Sequence, residues 1–164
     1  MMKRRGLTLL ELVIALAMLA IVASIAVPSF GAAADRARLR HAAETLAADL
    51  AEARYQSAQR GTPLYLDVQP GPGWCWAVTS APGCRCGVAQ ACQLKTVSEI
   101  ENAGVQLVEA HAIGFDPTGT VQATAGSDAV LQSRRGERLR VSVSALGRAS
   151  ICAPDGAVPG YTAC

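Results

Sequence analysis

The side chains in this sequence that are able to do chemistry are six cysteines, two histidines and one carboxylate, Glu11, set inside an apolar run. The histidines, His41 and His111, lie 70 positions apart by their numbers, and no G-x-S-x-G elbow or phosphate-binding glycine loop accompanies them. No nucleophile and base can be paired, so the chain reads as a non-enzyme with no catalytic residue, no cofactor and no small-molecule substrate. The cysteines are Cys75, Cys84, Cys86 and Cys92 in one segment, then Cys152 and Cys164. Zinc would require paired C-x2-C knuckles or a nearby histidine, and the segment has neither, so no metal site is expected. A redox C-x-x-C is absent too. An even count behind an apolar N-terminal segment fits disulfides in an oxidising compartment. Cys152 with Cys164 would close a C-terminal loop, while the other four admit three pairings.

Two further stretches invite a chemical reading. Asp116-Pro117-Thr118-Gly119-Thr120 is one residue from the phosphorylation motif of P-type pumps. The lysine is missing and the chain is far too short for a pump, so a turn with proline second and glycine fourth is the better account. Arg134, Arg135, Arg138, Arg140 and Arg148 are clustered, diluted only by Glu137. Arg138 and Arg140 point the same way from a strand and Arg148 follows the next turn. The three are candidates for a phosphate-binding patch, against the plainer reading of solvated arginines guarding a strand edge.

Net charge does not decide between these. The formal charge is +2, but without Lys3, Arg4 and Arg5 the chain has 12 basic residues against 13 acids, a net of −1. Nucleic-acid binding would therefore need a local patch.

The elements that must position these groups are marked by periodicity. From Leu12 to Val27 every residue but Ser24 is apolar, and residues 7–27 would span about 30 Å as a helix, enough for a bilayer. Glu11 costs such a segment roughly 2.5–3.5 kcal/mol at the membrane centre and less near an end. A disposable signal peptide cut at Gly31-Ala32-Ala33-Ala34 would leave that carboxylate unexplained. Basic residues flank the run on both sides, and the cysteines place the C-terminal side outside the cytoplasm. Beyond Phe30, Leu39, Ala43, Leu46, Leu50, Ala53 and Ser57 recur at spacings of four and three, an amphipathic helix laid on a domain. Gly61 and Pro63 stop it, so the helix is expected from Leu7 to about Arg60, roughly 80 Å, with a kink or break near Pro28 and Gly31. Arg36, Arg38, Arg40 and His41 are read as a solvated face, with anionic headgroups as the sharper alternative for the arginines. Arg40 and Glu44 form an i,i+4 pair.

After Thr62 the period becomes two. Leu64, Leu66 and Val68 alternate with Tyr65 and Asp67; Trp74, Trp76 and Val78 share a face; Leu139, Val141 and Val143 alternate with Arg138, Arg140 and Ser142. Turns are marked at 70–73, 117–119, 135–137 and 146–147. The expected fold is α+β: a long N-terminal helix, membrane anchor followed by amphipathic half, packed on a small antiparallel sheet domain.

Arg5-Gly6, then Leu7-Thr8-Leu9-Leu10-Glu11-Leu12, then Pro28, resembles the type III signal of type IV prepilins and type II secretion pseudopilins. The resemblance implies a leader at 1–6, cleavage by prepilin peptidase between Gly6 and Leu7, and N-methylation of Leu7. It also implies a transmembrane and assembly helix at 7–29, in which Glu11 and Pro28 serve assembly, and an amphipathic periplasmic half at 30–61. A neighbouring subunit's N-terminal ammonium would pair with Glu11 and set axial register. Gly114-Phe115-Asp116-Pro117-Thr118-Gly119-Thr120 and Leu139 to Arg148 are similar to the two C-terminal signatures of the GspH/FimT group of minor pilin-like subunits, making 62–164 a GspH-like β domain. What this implies is a structural subunit near the tip of a type II secretion pseudopilus or type IV pilus. It would be single-pass in a bacterial inner membrane, its N-terminus cytoplasmic and its C-terminal domain periplasmic, and then be extracted into the filament with other pilins as partners. The alternative is a FimT-like subunit that binds double-stranded DNA through Arg138, Arg140 and Arg148. The Gly-Arg-x-Arg element of that type is here Gly147-Arg148-Ala149-Ser150.

Overall fold

The structure, a computed structural model, describes residues 9–122 and 126–164, with the backbone alone at 25–29. It divides into two units, Met1–Ala34 and Asp35–Cys164. Helix α1, Leu9–Arg60, contributes residues to both, and its assignment runs unbroken through Pro28 and Gly31. Gly61, at φ 63°, takes the left-handed conformation that closes a helix C-terminus.

In the second unit the helical stripe is the base of the core. Leu39, Ala43, Leu46, Leu50, Ala53 and Ser57 are all buried, together with Ala42. They face two antiparallel sheets. The strands are β1 (Leu64–Gln69), β2 (Cys75–Thr79), β3 (Gln93–Ser98), β4 (Val105–Ala110), β5 (Ile113–Phe115), β6 (Val121–Gln122), β7 (Asp128–Ser133), β8 (Arg138–Val143) and β9 (Ala149–Cys152). One sheet has the order β3-β2-β1-β5-β6 and the other β4-β7-β8-β9. The period-two faces read from the sequence point inward: Leu64 and Leu66 from β1, Trp76 and Val78 from β2, Leu139, Val141 and Val143 from β8. Trp74 and Trp76 stack with centroids 5.3 Å apart. Full burial of one such large side chain contributes roughly 1.5–3 kcal/mol, so this shared core holds helix and sheets together.

Strand β2 departs from simple alternation, because its whole length is buried. Cys75 and Ala77 face away from the main core and meet Cys86 in a second small cluster. The cause is covalent. Cys75–Cys86 and Cys84–Cys92 fold the segment between β2 and β3 back over the outer face, and Cys152–Cys164 ties the C-terminus to β9. All six cysteines are therefore in disulfides, with the C-terminal pair as expected and one of the three possible pairings chosen for the rest.

Candidate functional site

In the first unit, Leu9, Leu10, Leu12, Val13, Ile14, Leu16, Met18, Leu19, Ile21 and Val22 each expose about half or more of their surface. These positions encircle the helix, and a helix apolar all round belongs in lipid or among other helices. Glu11 lies exposed among them. Gly6 and Leu7 lie outside the described residues, and so does the side chain of Pro28, although the backbone there is helical. Among the described residues no helix is long and apolar enough to cross a membrane; the expected span at 7–29 begins before them, and its side chains at 25–29 lie outside them.

In the second unit, the two segments that resemble the GspH/FimT signatures meet on the last turns of α1. Ser57 Oγ donates to the Asp116 carbonyl at 2.6 Å, and Arg54 Nε donates to the Gly119 carbonyl at 3.1 Å. The Asp116–Gly119 turn closes through a Gly119 N–H to Asp116 C=O bond of 2.9 Å. The Asp116 carboxylate accepts from the N–H and hydroxyl of both Thr118 and Thr120. Those bonds, the Thr118 and Thr120 hydroxyls foremost, hold its pKa well below the usual carboxylate range. Gly147 (φ 74°) packs so closely that a Cβ there would fall 2.6 Å from both the Gly119 carbonyl and Arg54 Cδ. The segment that tempted a phosphorylation reading is thus a structural latch, and its carboxylate serves its own turn.

Strand β8 and the turn after it place the three candidate arginines. Arg138 begins β8, whereas Arg148 lies beyond the far end, after the turn that joins Val143 to Ala149. Five residue-to-residue steps, about 17 Å, separate the two ends of that strand. Arg140 Nε is 3.5 Å from Asp128, which also meets His111 Nδ1 at 3.2 Å. Ser150 bonds Ser142 side chain to side chain at 3.1 Å. Alternation along the strand keeps Arg138 and Arg140 on one face.

Two other expectations are corrected. Arg40 and Glu44 do not pair with each other: Arg40 donates to the Pro159 carbonyl, and Glu44 accepts from the Tyr161 hydroxyl at 2.7 Å. Arg36 is not simply solvated, since its Nε is 2.6 Å from Glu137. In each case the C-terminal loop or the β7–β8 turn supplies a partner that helix spacing alone did not anticipate. A buried site was also missed. Asp49, 4 % exposed, accepts from Trp76 Nε1 at 2.9 Å and pairs with Lys95 Nζ at 2.5 Å. Its position three residues after Leu46 and one before Leu50, on the edge of the apolar stripe, was the available signal.

With this geometry in view, the sequence model for the family described as Type II transport protein GspH matches residues 42–147. The model for the prokaryotic N-terminal methylation motif matches residues 1–27. No curated protein matches the chain. The fold is similar to the type IV minor pilin FimU of Pseudomonas aeruginosa PAO1 in two crystal forms. In space group P21 the TM-score is 0.54 at 20 % identity, over 77 % of this chain and 96 % of that one. In space group P65 the values are 0.52 and 17 %, over 75 % and 98 %.

Proposed function

Because the chain belongs to the GspH family of pilin-like proteins, we propose that it is a minor pilin or pseudopilin, a structural subunit near the tip of a type II secretion pseudopilus or type IV pilus. The observation that carries the reading is the pairing, in one chain, of the N-terminal methylation motif at 1–27 with the GspH match at 42–147. The apolar helix supports it, since exposed apolar residues around its whole circumference require either lipid or neighbouring helices. On this reading prepilin peptidase cuts between Gly6 and Leu7, Leu7 is N-methylated, and the helix anchors the subunit singly in the inner membrane with the disulfide-bonded unit in the periplasm. Glu11 then pairs with a neighbour's N-terminal ammonium as the subunit moves from membrane to filament, with Pro28 in the same assembly helix. The activity is structural rather than catalytic.

On the alternative reading Arg138, Arg140 and Arg148 would meet DNA, with Arg140 already 3.5 Å from Asp128. The test is incorporation. Wild-type chain should appear in the sheared filament fraction of cells producing the other subunits, and Glu11→Ala chain should stay with the membrane. Equal incorporation of the two would refute the assembly role of Glu11.

A further inference from the structure

Basic residues gather where the second unit begins. The β7–β8 turn lies against its first helical residues, with Arg135 Nε 3.2 Å from Asp35 and Arg36 Nε 2.6 Å from Glu137. Those contacts occupy Arg135 and Arg36. Arg134 and Arg138 make no ion pair among the described residues, and Arg38, with half its side chain exposed, reaches Asp35 only at 3.5 Å. Arg38 and Arg134 line one open pocket of about 250 Å³ with His41, Glu101, Asn102 and Ala103. The pocket has a built wall. Arg134 lies across Gly104 (φ 92°), where an added Cβ would come within 2.7 Å of its Nε and push the guanidinium aside.

Two guanidiniums flanking a small pocket suit a single phosphate. Residues 30–34 separate this cluster from the end of the expected span at 29. We propose that Arg38 and Arg134 hold the phosphate of an anionic phospholipid headgroup in the periplasmic leaflet, seating the second unit on the membrane before the subunit enters a filament. Glu101 shares the lining of the pocket, and Glu137 is taken up by Arg36. The proposal rests on the membrane-anchored reading given above.

The test uses the full chain in nanodiscs of phosphatidylcholine alone or with phosphatidylglycerol, read by amide hydrogen exchange. Phosphatidylglycerol should slow exchange at 101–105 and 134–138 by about fivefold or more. Molar salt should abolish the effect. Arg38→Gln with Arg134→Gln should remove it, the two lysine variants should keep part of it, and Arg148→Gln should keep all of it. Unchanged near-ultraviolet circular dichroism from the Trp74–Trp76 pair would establish that the variants are folded. Equal exchange in both lipids by an inserted chain overturns the headgroup site alone, leaving the anchored reading intact. A chain that enters neither kind of disc overturns both. Slowing by a short DNA duplex but not by phosphatidylglycerol assigns the arginines to nucleic acid and overturns the site.

Discussion

Asp116 directs both carboxylate oxygens at its own turn, and this gives the protein an acid-sensitive point. A folded carboxyl with a depressed pKa contributes stability that is complete above its unfolded value, near pH 4, and is lost as pH falls below that toward the folded value. Thermal melts of wild type should therefore decline below about pH 4, and those of Asp116→Asn should start lower and show a flatter acid limb. Parallel acid limbs would assign the loss to other carboxylates. Asp49 predicts a different effect. Asp49→Ala leaves the buried Trp76 N–H without an acceptor and Lys95 without its partner, costing about 2–3 kcal/mol in urea unfolding, while Asp49→Asn keeps an acceptor and costs less. A loss below about 0.5 kcal/mol for the alanine variant would show that water replaces the carboxylate. Asp49 was hard to identify in the sequence because a helix pattern tells which stripe is buried, but not which polar neighbour a distant tryptophan will reach.

At the scale of elements, the amphipathic half of α1 and strands β1, β2 and β8 were legible because each carries a clean period against a buried face. Strand β3 was not, since only Val97 of its six residues is buried, and β6 has just two residues, held by pairing with β5. Pairing with a neighbour rather than local pattern defines such strands. The signature loops were legible as turns, but their meeting on Arg54 and Ser57 was not, because it joins residues about 60 positions apart. That latch predicts a contrast between two glycines. Gly147→Ala combines a left-handed φ with a backbone clash and should destabilise by at least about 2 kcal/mol. Gly136→Ala, with φ 85° but its nearest neighbour at 3.7 Å, should cost only about 1 kcal/mol. Similar losses at both would remove the latch from the account. The C-terminal staple predicts a local effect: Cys152→Ala with Cys164→Ala should cost about 3 kcal/mol and speed hydrogen exchange in 154–164, leaving β7 and β8 protected.

For the whole molecule, the chain joins an apolar segment with one carboxylate to a disulfide-bonded unit whose core is complete in itself. A subunit that passes from bilayer to filament needs this division, with one part able to exchange lipid for neighbouring helices while the other stays folded. Both environments shelter apolar residues, and on the proposed reading a neighbour's N-terminal ammonium would meet Glu11 in the filament. The central claim is thus prepilin processing, and the most direct test is the intact mass and N-terminal residue of the membrane-extracted protein from cells containing prepilin peptidase. The account predicts a chain beginning at N-methylated Leu7 with all six cysteines oxidised. A chain beginning at Asp35, released as a soluble domain, would contradict it.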